Sequence, residues 1–280
     1  MLETFLVTSR ETLEASLVVG IVLAYLTKAE KSEYKKSVYY GIGFGILASI
    51  AIAILFTFFT DGFEGRMEEL FEGITMLFGA FLLTTLILWM AKQANVTQSL
   101  HRKVDHHLKK SHPSLTKWGI FLLIAIAIIR EGVETVIFLN AVYYSTGLSY
   151  ISGSIGIASS ILIGYLFFSQ TKRINMKNLF MVSSFLLILF AAGLTAHGVH
   201  ELQEASILPD IMSPLWDLNP PVNENGSYPP LHEKGIIGSF LKGLFGYNGD
   251  PGLLEVLAYI AYFIIVWQLW RIFSSNKATA

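Results

Sequence analysis

Long apolar stretches alternate with short polar ones along the whole chain. The apolar stretches hold about 20 residues each, the length that an α-helix needs to cross the hydrocarbon core of a bilayer. Backbone groups in lipid must form their hydrogen bonds within the segment, so each stretch is predicted to be a helix. The stretches lie near residues 2–27, 37–60, 69–91, 117–140, 149–170, 178–203 and 253–274. The pattern therefore predicts an all-α integral membrane protein with seven transmembrane helices.

The composition agrees with this class. Hydrophobic residues make up 53% of the 280 positions and charged residues only 15%, whereas soluble domains carry about a quarter charged residues. The absence of cysteine excludes disulfides, iron–sulfur clusters and thiolate metal sites. The chain starts without a basic segment or a small-residue cleavage site, so we expect a retained first helix.

The polar segments predict the orientation. Lysine and arginine concentrate on the cytoplasmic side of membrane proteins. Segments 28–36, 92–117 and 171–177 are basic, whereas 61–69 and 204–252 are acidic and 140–149 is uncharged. The alternation predicts an N-terminus outside the membrane and a C-terminus in the cytoplasm.

Two apolar stretches carry the same charged motif. Residues 10–15 read RETLEA and residues 130–135 read REGVET. An ionisable side chain at the bilayer centre costs about 2.5 to 3.5 kcal/mol on insertion scales, so these triplets need a partner or a function. The second copy lies three predicted helices after the first, so the two copies enter the membrane from opposite sides.

This arrangement predicts an inverted repeat, a plan that many secondary transporters use with a substrate site near the midplane. We expect a single transmembrane domain over 1–280. It divides into a first three-helix repeat (1–92), a second (117–204), an extracytoplasmic loop (205–252), and the seventh helix with the tail (253–280).

Helical spacing explains the motif. Its two glutamates are i,i+3 neighbours on one face, and its arginine lies four residues before the second glutamate. Arg10 and Arg130 are therefore expected to hold Glu14 and Glu134 and to tune the site, which leaves Glu11 and Glu131 freer. Four carboxylates and two guanidiniums leave a formal charge of −2, which suits a hard, highly charged cation. The alternative is that the charges only neutralise each other and lock two helices together.

With these doubled motifs in the first and fourth of seven helices, the chain resembles the high-affinity, oxidase-dependent iron permeases. The stretches FEGITML (71–77), HGVHELQE (197–204) and GYNGDPGLLEVLAY (246–259) are also similar to that family. The resemblance implies ferric iron bound by Glu11, Glu14, Glu131 and Glu134, often after oxidation by a separate ferroxidase or peroxidase. It implies a multi-pass protein of the cell (inner) membrane, with iron as the transported substrate and no resident cofactor.

Other polar residues cluster near the outer membrane surface. His197, His200, Glu201 and Glu204 form one stripe at the end of the sixth helix, and Glu72 starts the third helix at a similar depth. We interpret them as an outer entrance or second metal site that concentrates cations. The alternative is a helix end that surfaces into water.

Three further segments carry weaker signals. The loop residues His101, Asp105, His106, His107 and His112 are expected to be solvated rather than metal ligands. Segment 204–252 holds seven of the eight prolines and a short predicted interfacial helix at 238–247, and it is a candidate docking site for a partner. Gly41, Gly43 and Gly45 are expected to allow close helix packing.

The leading hypothesis is thus an iron permease that is not an enzyme, with partners limited to iron, lipid, an extracytoplasmic oxidase or delivery protein, and further copies of itself. The rivals are a membrane di-iron ferroxidase, a structural subunit with internal salt bridges, and a permease for manganese or lead. The ferroxidase is disfavoured because helical di-iron sites use E-x-x-H pairs, and neither motif contains histidine.

Overall fold

The computed structural model describes residues 1–60, 64–92, 113–168, 176–223 and 227–275. The histidines and the aspartate of the loop at 101–112 lie outside these residues. All regular structure in the described ranges is helical. The helices are α1 Leu2–Lys28, α2 Lys35–Thr60, α3 Arg66–Lys92, α4 Pro113–Thr146, α5 Tyr150–Phe168, α6 Met176–Glu204, α7 Ile236–Phe245 and α8 Leu253–Ser275, with a short 3₁₀ turn at Ser32–Tyr34.

Each of the seven predicted stretches forms a helix. In the part of the chain that the structure describes, five helical segments are long and apolar enough to cross a membrane: Ser32–Phe58, Arg66–Leu88, Tyr150–Phe168, Phe180–Glu204 and Leu253–Ile272. The other two long helices, α1 and α4, each carry the three charged residues of a motif within their apolar stretch. The multi-pass class is confirmed, whereas the count of seven spans remains a prediction.

Glycines set the distance between α2 and α4. Gly41 faces Ile124 and Gly45 faces Ile128, so the two helices run in the same direction with their backbones close. Gly43 lies between Gly41 and Gly45 in the sequence. Within the described residues, no atom beyond its own stretch of backbone lies within 4 Å of the position that its Cβ atom would take. The predicted close packing is therefore present at Gly41 and Gly45 but not at Gly43.

The same arrangement recurs between α1 and α5. Gly153 faces Thr4 and Gly156 faces Thr8, and these helices are also parallel. Thr4 lies 120 residues before Ile124, the separation of the two charged motifs. The second helix of each predicted repeat thus packs on the first helix of the other: α5 packs on α1 and α2 packs on α4.

The third helix of each repeat packs against the other. Gly73 of α3 approaches Gly198 of α6, and Gly79 approaches Leu194, so α3 and α6 are antiparallel. The main apolar core lies between α1, α3, α4, α6 and α8. These directions are those expected when each helix crosses the membrane once in turn.

Alanine at Gly45 is expected to destabilise the protein by about 1 to 3 kcal/mol, the usual cost of overpacking, because the added methyl group would overlap the Ile128 side chain. Gly43→Ala is the matched control on the same helix, and its open surroundings predict no loss or a gain of up to about 1 kcal/mol from helix propensity. Thermal unfolding of the purified variants in detergent measures the difference. Equal unfolding temperatures would contradict this packing.

Candidate cation site

The two charged motifs meet where α1 packs against α4. One carboxylate oxygen from each of Glu11, Glu131 and Glu134 lies within 4.8 Å of the others. Within the described ranges, no other set of three histidine, aspartate or glutamate side chains comes this close together. The packing of α1 against α4 thus brings together three of the four predicted ligands, from two distant parts of the sequence.

Arg10 is the central cation of this cluster. Its side chain is fully buried, and its Nη1 and Nη2 atoms lie 2.5 Å from Glu11 Oε1 and 2.8 Å from Glu14 Oε1. The i,i+4 pair with Glu14 is as predicted. The expectation that Glu11 would be the freer carboxylate is wrong, since the two ends of one guanidinium contact both glutamates.

The second motif is arranged differently. Arg130 Nε lies 2.8 Å from Glu134 Oε1, again the predicted i,i+4 pair, but the Arg130 side chain is 48% exposed. It lines an open cleft of about 550 Å³ together with Glu134 and with Leu82, Thr85 and Leu86 of α3. The two arginines are equivalent in the sequence and not in the structure.

Three buried carboxylate oxygens of the two motifs make no hydrogen bond within the described part of the chain: Glu11 Oε2, Glu131 Oε2 and Glu14 Oε1, of which Glu14 Oε1 still lies 2.8 Å from Arg10 Nη2. Glu11 Oε2 and Glu131 Oε2 are inaccessible to solvent and have no hydrogen-bond partner among the described residues. Burying a carboxylate oxygen without a donor is costly. A cation bound between these oxygens would remove that cost, and carboxylate oxygens are the ligands that hard cations prefer.

The predicted outer residues lie apart from this cluster. His200 bridges two carboxylates: its Nε2 is 3.2 Å from Glu204 Oε1 and its Nδ1 is 3.1 Å from Glu255 Oε1. His197 is buried one turn below. Glu201 lies beside Gly73, next to Glu72 of α3, so these carboxylates share the outer end of the α3–α6 pair.

Glu255, at the start of α8, is a partner of His200 that no sequence motif indicates. Its carboxylate is buried and accepts hydrogen bonds from the Gly252 backbone N–H at 2.8 Å and from Asn248 Nδ2 at 2.9 Å, besides its contact with His200. An acidic residue in the first turn of a helix is an ordinary capping signal, so nothing in its local pattern connects Glu255 with α6.

Comparisons with known proteins cover nearly the whole chain. The profile of the iron permease FTR1 family matches residues 1–275. An uncharacterised protein of Archaeoglobus fulgidus is 31% identical over 263 residues, covering 94% of this chain and 91% of that protein. Ferrous iron permease EfeU of Yersinia pestis is 28% identical and EfeU of Escherichia coli strain CFT073 is 27% identical, each over 267 residues and 94% of this chain, covering 91% and 93% of those proteins respectively. No solved structure matches the chain.

These matches agree with the resemblance carried by the two R-E-x-x-E motifs and with the helical, multi-pass fold. They favour a transporter over the ferroxidase alternative, since the family and the named relatives are permeases. The chain belongs to the iron permease FTR1 family.

Proposed function

We propose that this protein moves iron across the cytoplasmic membrane through a cage formed by Glu11, Glu14, Glu131 and Glu134. The observation that carries the proposal is the pair of buried, unsatisfied oxygens of Glu11 and Glu131, one from each motif. Among the described residues, the ion pairs of the motifs engage the other oxygen of Glu11 and neither oxygen of Glu131, so they leave these two oxygens without a donor. A transport site needs such oxygens, since they replace the water ligands of the cation.

The charge of the cage favours ferric iron. Arg10 neutralises part of the negative charge, so the site holds a highly charged cation without becoming a permanent trap. The relatives are named ferrous iron permeases. We infer that a separate extracytoplasmic oxidase converts ferrous iron to ferric iron before the iron reaches the cage. Ferrous iron would then be the form supplied, and ferric iron the form transported.

The proposed route begins at the outer end of α3 and α6. Glu72, His197, His200, Glu201 and Glu204 attract the cation there and raise its local concentration. From the cage the cation leaves through the cleft beside Arg130 and Glu134, which opens between α3 and α4. Thr85 and Leu86 lie toward the predicted cytoplasmic end of α3, so this cleft is the exit.

The proposed topology has seven spans, an outer N-terminus and a cytoplasmic C-terminus, with helices α1–α3 and α4–α6 as inverted repeats. It is supported by the parallel pairs α1–α5 and α2–α4 and by the antiparallel pair α3–α6. A helix that failed to cross would reverse the direction of every helix after it. The 120-residue offset between Thr4 and Ile124, which face corresponding glycines, supports the repeat itself.

Uptake of radioactive iron by a bacterium that lacks its own iron uptake systems tests the proposal. The chain is expected to restore uptake when ferric iron is supplied, or ferrous iron together with an oxidase. Manganese and lead at equal concentration should not compete. Uptake of manganese with no effect of iron would assign another cargo, and no uptake of any cation would refute transport by this chain alone.

A further inference from the structure

The short helix α7 lies on the predicted outer side of the protein. Its C-terminal end packs beside α6, at a level well before the end of α6. Gly246, which directly follows α7, contacts the backbone of Gly193 in α6. Gly193 lies 11 residues before the end of α6 at Glu204, which corresponds to about 16 Å along the helix axis. One face of α7 therefore packs well below the end of α6, while Ile237, Phe240 and Phe245 stay exposed on its other face.

Glycines permit this depth. Gly246 has a φ of +69°, in the left-handed region that ends helices and favours glycine. A side chain at either Gly193 or Gly246 would overlap the other backbone. Gly243, on the same helix, contacts the buried carboxylate of Glu3 at the start of α1. The C-terminal half of α7 is thus wedged between α1 and α6.

One side chain of α8 holds this end of α7 in its position. The hydroxyl of Tyr259 donates a hydrogen bond of 2.6 Å to the carbonyl oxygen of Phe245, the last residue of α7. Tyr262, one turn further along α8, makes a bond of similar length, 2.7 Å, to Thr84 of α3. The two tyrosines therefore differ mainly in whether they hold α7.

A closed apolar layer lies beneath α7. Val7 of α1, Phe138 of α4 and Leu194 of α6 belong to one buried cluster, and none of the three is exposed. Glu11 lies one helical turn after Val7 in α1, and Glu134 lies one turn before Phe138 in α4. Both glutamates are therefore on the inner side of this layer. Helix α7 packs on α1, α4 and α6. Its Gly243 contacts Glu3, one turn before Val7, and its Gly246 contacts Gly193, next to Leu194, so α7 lies beside this layer on the side away from the motifs.

We propose that α7 is a re-entrant helix that acts as the outer gate of the cage, and that Tyr259 is the positioning residue that holds it closed. The proposal rests on the transport function proposed above. A cation reaches the cage from outside only when α7 withdraws and the layer of Val7, Phe138 and Leu194 separates. The structure represents the state in which this gate is closed.

The charge on α7 supplies a reason for the gate to respond to the cargo. Lys242, in the last turn of α7, lies within electrostatic range of His197 and Glu201. A cation that binds Glu201 neutralises the carboxylate that attracts the ammonium group of Lys242. The positive charge of the cation also repels that ammonium group. Both effects loosen α7 from its closed position.

Cysteine labelling tests the gate without relying on transport, since the natural chain contains no cysteine. Val7→Cys reports whether water reaches the covered layer, and a membrane-impermeant thiol reagent is added from outside. Adding Tyr259→Phe is expected to speed labelling about fivefold, because one hydrogen bond that holds the closed state is lost. Adding Tyr262→Phe is the matched control and should leave the rate unchanged. Equal rates in the two double variants would overturn the proposal.

A disulfide tests whether α7 must move. The position of a Cβ atom at residue 243 is 3.0 Å from Glu3 Cγ, which suits a Glu3→Cys, Gly243→Cys pair. Oxidation of this variant is expected to stop iron uptake and reduction to restore it, with each single variant insensitive to oxidant. Full uptake by the cross-linked protein would refute the gate while leaving transport intact, whereas absent uptake in the wild type would refute the transport function. The labelling comparison decides the matter if the double variant does not fold.

Discussion

Iron uptake is expected to fall at least about tenfold when Glu11 or Glu131 is replaced by glutamine. Removing a residue that only supports a metal ligand already lowers metal affinity or activity about 10- to 100-fold. Glu11 and Glu131 carry the unsatisfied oxygens themselves. Glutamine keeps the size of the side chain and removes its charge, so the loss would be chemical rather than steric. Uptake of ferric and ferrous iron is measured separately, at matched amounts of protein in the membrane.

Glu33→Gln is the control for this prediction, because Glu33 is an exposed glutamate outside both motifs. It should leave uptake unchanged. The double variant Glu11→Gln, Glu131→Gln separates the two interpretations of the motifs most sharply. If the motifs only clamp α1 to α4, the double variant transports normally once it is folded and inserted.

The ion pairs within each motif could be predicted because the motif uses short-range helical geometry. Residues three and four apart on a helix share a face, so the pairs of Arg10 with Glu14 and of Arg130 with Glu134 follow from spacing alone. The pairing of α1 with α4 followed from the repetition of the motif. The helical class and most helix positions followed from hydropathy in the same way.

What the sequence did not provide depends on tertiary packing. Two identical R-E-x-x-E patterns predict two equivalent arginines, yet Arg10 is fully buried and Arg130 is half-exposed. Their surroundings differ because each motif faces different neighbouring helices, and spacing within one helix contains no information about those neighbours. The position of α7 has the same origin: its sequence predicts a short amphipathic helix, which is present with Ile237 and Phe240 exposed, but only the contact of Gly193 with Gly246 shows how far along α6 its other face packs.

This difference between the arginines predicts unequal losses of stability. Removing one partner from a buried ion pair typically costs about 3 to 5 kcal/mol, because it leaves a buried charge uncompensated. Arg10→Gln leaves the buried carboxylates of Glu11 and Glu14 without their guanidinium. The expected decrease in the thermal unfolding temperature is at least about 6 °C for a chain of this size. Arg130→Gln is the matched control in the second motif and should cost about 1 kcal/mol or less, since a half-exposed pair is screened by solvent.

A compensating variant shows whether charge, rather than lost packing, causes the effect. Arg10→Gln combined with Glu14→Gln removes the cation and one of its two anions, so the remaining uncompensated charge is smaller. If electrostatics dominates, this double variant unfolds at a higher temperature than Arg10→Gln alone, which is the non-additivity expected for residues in contact. A further decrease would show that Arg10 acts through packing. Equal effects of Arg10→Gln and Arg130→Gln would contradict the asymmetry of the cage, and with it the assignment of the cleft beside Arg130 as the exit.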